Sequence, residues 1–130
     1  MMNSFVTEDI SKVGLSERVD AKLKRLQEEK HFADMRDAYR VGIALAIAYG
    51  IRPPEVIQPK VGRYNISQID EDKSIETAIS LLMDTEGVPP YRWAERLAEW
   101  GVEKLSQESE KGQIDFLKLL TEAKENAKDI

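Results

Sequence analysis

Apolar residues recur at spacings of four and three through KVGLSERVDAKLKRLQEEK, where Val19, Leu23 and Leu26 form a stripe behind Ser16, a residue suited to cap a helix N-terminus. The pattern predicts a helix over about 17–30. Ahead of it, Val13 and Leu15 alternate with Lys12 and Gly14, the two-residue period of a short strand. The next periodic stretch opens at Asp34, again a good N-cap, and runs through MRDAYRVGIALAIAY to Tyr49, with Gly50, Pro53 and Pro54 as stop signals.

The C-terminal half of this second helix is apolar on every face, so it has to be covered on all sides, either by the rest of the chain or by a second copy. Gly42, Ala44, Ala46 and Ala48 are small enough for neighbouring helices to approach closely. Val41, Ile43, Leu45 and Ile47 supply the area to be buried and are the candidate oligomer interface.

Periodicity lapses from Arg52 to Lys73, RPPEVIQPKVGRYNISQIDEDK, a Pro-rich segment too long for an ordinary connection, with a short strand expected around Arg63 to Ile66. Helical patterns then return. Ser74 is the expected cap of IETAISLLMD, in which Ile75, Ile79 and Leu82 share a face before Gly87 ends the unit. Pro89 and Pro90 suit the first turn of YRWAERLAEW, where Trp93, Leu97 and Trp100 share a face and Gly101 is expected to interrupt. A last helix carries Ile114, Leu117 and Leu120 beside Phe116 and is expected to fray after about Ala123. The chain therefore reads as mainly α: about five helices around the apolar helix 34–49, one helical domain over 1–130, with 51–73 as a Pro-rich loop and 74–125 as a helical C-terminal part.

Composition narrows the chemistry. The chain has 130 residues, enough for one domain with a core, no cysteine and one histidine, which removes disulfides, thiolate nucleophiles and sites needing several imidazoles. No metal and no cofactor are expected. The net charge of −5 argues against indiscriminate nucleic-acid binding. Charge is also uneven: residues 31–60 carry four Lys/Arg and three Asp/Glu, whereas 61–100 carry four and eight. The segment MMNSFVTEDI lacks the basic and apolar regions of a secretory signal, and the longest apolar run, Val41 to Ile51, falls short of the roughly 20 residues of a membrane span. A cytoplasmic location away from membranes is the expectation.

Three sets of residues deserve a chemical reading. The run Asp70, Asp72, Ser74 and Glu76 has the alternating oxygens that begin a calcium loop, but Ile75 stands where glycine is required and Leu81 where the closing glutamate belongs. An acidic turn leading into a helix N-terminus accounts for it better. Arg52, Lys60, Arg63 and Tyr64 lend the Pro-rich loop a modest basic character suited to phosphates or a stacked base. Arg25 and His31, in RLQEEKH, resemble the loose Arg-x(4–6)-His pattern of HEPN-type ribonucleases, in which the histidine acts as general base; the competing reading is a histidine at a helix C-terminus, favoured by the helix dipole.

The order strand, helix, turn, buried helix across Lys12 to Tyr49 resembles a ribbon-helix-helix unit, here over 10–50, in which two chains pair their strands and interlock their second helices. The resemblance implies a dimer that covers Val41 to Ile47 with its twin and reads DNA from the outward strand positions Ile10, Lys12 and Gly14. Of these only Lys12 is equipped to touch a base edge or phosphate. A further run, Phe32, Asp37, Ala38, Tyr39, Gly42, Ala44, Ala46 and Gly50, is similar to small accessory proteins of bacterial DNA phosphorothioation and related phage-restriction operons. It implies a DNA-modification or defence context, not an activity.

Three functions stay open on these grounds. The first is a noncatalytic accessory or adaptor that self-associates through the 34–49 helix and meets a protein partner. The second is a ribbon-helix-helix-like DNA-binding regulator with phosphate contacts from Lys12, Arg18, Lys22, Arg52, Lys60 and Arg63. The third is a small ribonuclease using Arg25 and His31.

Overall fold

Ser16 ends a strand and begins a helix in the same step: its backbone is extended, and its hydroxyl accepts a hydrogen bond from the Val19 N–H at 3.3 Å. The computed structural model describes residues 10–58 and 60–128. Along it run β1 (Lys12–Ser16), α1 (Glu17–Glu28), α2 (Met35–Tyr49), β2 (Lys60–Asn65), α3 (Ile66–Ile69), α4 (Ser74–Leu82), α5 (Pro90–Ser109) and α6 (Phe116–Lys128). The architecture is mainly helical with one two-stranded antiparallel sheet. Most of the segment read for a targeting signal, residues 1–9, lies outside the described residues, as do Asp129 and Ile130 at the other end.

α2 and α5 form the spine. Tyr39, Ile43 and Ala46 on α2 and Ala94, Leu97, Ala98, Val102 and Leu105 on α5 are all buried, in one core with Leu23 and Leu26 of α1 and Leu119 of α6. The two spine helices touch backbone to backbone at Gly42 and Gly101, where a Cβ on Gly101 would stand 1.9 Å from the Gly42 carbonyl oxygen. Gly101 thus does not interrupt the helix: α5 runs unbroken, and the missing side chain is needed for the crossing.

The Pro-rich segment holds more than a loop. β2 lies at Lys60–Asn65 rather than Arg63 to Ile66, and the one-turn α3 follows it. β2 pairs with β1 of the same chain, with a bulge between Val13 and Gly14. The ribbon-helix-helix resemblance implies pairing between two chains, and the far edge of β1 is closed to it. There the Gly14 N–H donates to Glu95 at 2.9 Å, the Ser16 N–H donates to Glu99 at 3.0 Å, and the Gly14 carbonyl accepts from the Tyr39 hydroxyl at 3.0 Å.

Three helix boundaries differ from the sequence reading, each for a local reason. α1 stops at Glu28, before Lys30 takes a positive φ of 64°. Ser74 does not cap α4 but begins it; the cap position is Lys73, and the buried Asp70 carboxylate accepts from the N–H groups of Ile75 at 2.8 Å and Glu76 at 3.0 Å. α6 does not fray at Ala123: Asn126 donates to the Tyr49 carbonyl at 2.6 Å, and Glu122 accepts from the Tyr49 hydroxyl at 3.0 Å, so its last turns close the end of α2. Among the described residues no helix is long and apolar enough to cross a membrane.

Candidate functional site

The basic residues named as phosphate contacts are largely engaged within the chain. Arg18 and Lys22 both pair with Glu103 of α5; burial pushes its carboxyl up, but the hydrogen bonds and charges of these two cations together bring it below the ordinary glutamate range. Lys60 pairs with the buried Glu95 at 3.0 Å, and Arg63 forks onto the buried Asp20. Arg52 donates to the Asp84 carbonyl at 2.7 Å and meets Glu86 at 3.2 Å. Lys12 alone among the six has no ion pair among the described residues, and it is exposed. These contacts tie α1 and β2 to α5 and to each other; they do not converge on one basic face.

Arg25 and His31 share a neighbour, Glu29, at 3.4 and 3.8 Å, on the exposed turn after α1. Neither lines any cavity described here. Asp70, the first carboxylate of the acidic run, is occupied by two helix N–H groups and by the Tyr91 hydroxyl at 2.8 Å; burial and that hydrogen bond hold the tyrosine well above its ordinary pKa. Among the described residues no group of three or more His, Asp or Glu is placed to hold a metal ion.

Two hollows with largely apolar lining flank α2. Ala44 and Ala48 are exposed and Val41 and Ile47 half-buried, a strip that neither α5 nor α1 covers. On one side a groove of about 510 Å³ opens between α2 and α4, floored by Val41, Ile43, Ala44 and Ile47 and walled by Ile75 and Ala78. On the other side a second hollow of about 150 Å³ lies between Val41, Ala44 and Leu45 and the α6 residues Phe116, Leu119 and Leu120. Val41 and Ala44 line both, so α2 forms a low ridge between two apolar channels.

Large apolar side chains stand along the flanking helices. Leu117 and Leu120 on α6 are 76% and 57% exposed, and Leu81 and Leu82, one turn beyond Ala78 on α4, are 78% and 67% exposed. The groove has a charged end: Asp37 and Arg40, one turn apart on α2, line it and form no ion pair among the described residues.

Of the four residues named as an oligomer interface, Val41 and Ile47 are at this surface. Ile43 and Leu45, 1% and 6% exposed, belong to the core, because α5 and α6 of the same chain cover the side of α2 they occupy. On α2 the residues that do face outward are Ala44 and Ala48, and the hollow beside Ala44 is completed by Leu120 of α6, which helix periodicity on α2 cannot supply. Comparison of the chain with family models, curated proteins and solved structures returns no match.

Proposed function

We propose that this chain is a noncatalytic, self-associating interaction module, in which the α2 strip with its flanks on α4 and α6 packs against the same face of a second copy. The observation that carries the reading is that a knob and hollows occur together on one face: the exposed Leu120 lines a hollow floored by Val41 and Ala44, next to the α2–α4 groove. A two-fold interface brings a patch against itself, so it needs such self-complementarity. The charged end fits the same symmetry, with Arg40 of each copy able to meet Asp37 of the other. An accessory or adaptor role in a bacterial DNA-modification or defence assembly is the context implied by the resemblance of Phe32 to Gly50, and a further protein partner belongs to that role.

Light-scattering mass of the purified chain tests the proposal. The expected result is a dimer that Ala44→Glu converts to a monomer with an unchanged helical circular-dichroism spectrum and a cooperative melt that no longer depends on concentration, since residue 44 is exposed and its substitution leaves the core intact. A wild-type monomer at tens of micromolar sinks the reading. The same run with duplex DNA at low and moderate salt discriminates the regulator alternative, which requires a complex that dissolves as salt rises.

A further inference from the structure

A second concave site, independent of the α2 face, lies where the 55–58 segment and the start of β2 meet the first turns of α5. This cavity of about 340 Å³ is lined by Lys60, Arg92 and Arg96, with Glu55 and Glu95 among them and Val56, Val88 and Pro89 as apolar wall. Lys60, Arg92 and Arg96 stand around one hollow, the first two paired with Glu95.

Of the two carboxylates, Glu55 is exposed and Glu95 is bound into the fold. Glu95 is 3% exposed; its Oε1 accepts from Lys60 Nζ at 3.0 Å and Arg92 Nη1 at 2.8 Å, and its Oε2 from the Gly14 N–H at 2.9 Å. It therefore fixes two cations at the cavity wall. Arg96 is held differently: its guanidinium carbon lies 4.7 Å from the centre of the Trp93 ring, and it forms no hydrogen bond or ion pair among the described residues. Arg52 approaches the same ring at 4.7 Å but is tied to Asp84 and Glu86, so it holds the indole and leaves Arg96 as the cation available to a ligand. A guanidinium oriented by an aromatic ring keeps its in-plane donors ready to fork onto an oxyanion.

We propose that this cavity binds the phosphate group of a small phosphorylated molecule, with Arg96 as the fork and Lys60 and Arg92 as flanking charges. Three cationic side chains around one hollow suit a tetrahedral oxyanion better than a planar carboxylate. The apolar wall of Val56, Val88 and Pro89 suits the body of a small ligand, and the volume lies in the range of small-molecule sites. A duplex, whose phosphates line a convex rod, fits the hollow poorly.

Calorimetric titration of the full chain with inorganic phosphate, a nucleoside monophosphate and the parent nucleoside tests it. Saturable binding of phosphate and the monophosphate is expected, with none for the nucleoside, and Arg96→Gln weakens it at least about tenfold. Arg96→Lys keeps charge and stem but loses the fork, and recovers only part of the affinity; it also serves if the glutamine variant misfolds. No saturable heat with either phosphate compound up to roughly 10 mM overturns the proposal. So does binding that Arg96→Gln and Arg96→Lys leave unchanged in folded protein, or saturation by duplex DNA alone.

Discussion

On one side of α2, α5 packs so closely that the two backbones touch at Gly42 and Gly101; on the other, Val41 and Ala44 line two open channels, one of them walled by the exposed Leu120 of α6. Both sides are built from the same residue types, and small residues serve opposite ends on each. At Gly42 the absent side chain lets a partner helix close down, whereas at Ala44 the short side chain lines a hollow on either side of α2. Polar groups are handled more uniformly: the buried carboxylates Asp20, Asp70, Glu95 and Glu108 each find cations or N–H donors within the chain. What the described residues leave uncovered beside α2 is apolar rather than charged, and this is the ground on which we propose association rather than nucleic-acid reading.

The closed side should be the most fragile. Gly101→Val would drive a side chain into the Gly42 carbonyl, and backbone on both helices leaves no flexible atom to move aside. The expected cost is about 3 kcal/mol or more, at the upper end of overpacking penalties, seen as a collapse of the thermal transition. A melting temperature within a few degrees of wild type would show that the helices can slide apart at little cost.

A paired truncation sharpens the contrast. Leu45→Ala, at a position 6% exposed, should cost about 2–5 kcal/mol in denaturant unfolding. Leu117→Ala, at 76% exposure, should change the stability of the monomer by no more than about 0.5 kcal/mol while weakening the dimer. Equal effects on stability would erase the distinction between the two sides. Loss of association in neither variant would remove α6 from the interface.

How far this division was legible in sequence depends on the range of the interaction. The stripe Val19, Leu23, Leu26 and the run from Asp34 to Tyr49 gave α1 and α2 because helix periodicity is local, and Val13 and Leu15 marked β1 for the same reason. Gly101 was misread because a glycine that breaks a helix and one that admits a neighbour have the same local signature; only the crossing with Gly42 separates them. The surroundings of the basic residues are equally non-local. Arg18 and Lys22 look available until Glu103, more than 80 residues away, is placed beside them, and Lys60 until Glu95 is. Ile43 and Leu45 alternate with Val41 and Ile47 in the sequence, and which of them face outward was set by α5 and α6. Arg96 had no signal of its own, since its importance comes from the Trp93 ring beneath it.

The smallest expected effect concerns the anchor of α6, the helix that walls one channel. Glu108 of α5, 4% exposed, accepts from Lys111 at 3.0 Å and meets Lys118 of α6 at 3.5 Å. The Lys111 hydrogen bond, helped by the attraction of Lys111 and Lys118 and opposed by burial, holds its carboxyl below the ordinary glutamate value of 4.5. A carboxylate with a depressed folded pKa adds stability that is fully present above the unfolded value and is lost as pH falls through the folded one. Acidification below about pH 4.5 should therefore loosen α6 before the spine. Hydrogen exchange should show this as faster amide exchange from Phe116 onward while α2 and α5 stay protected. Glu108→Gln removes the charge at every pH and should flatten that local dependence without touching the Gly42 and Gly101 crossing. If α6 and α5 instead lose protection together at the same pH in both proteins, the open face is as rigid as the closed one, and α6 belongs to the spine.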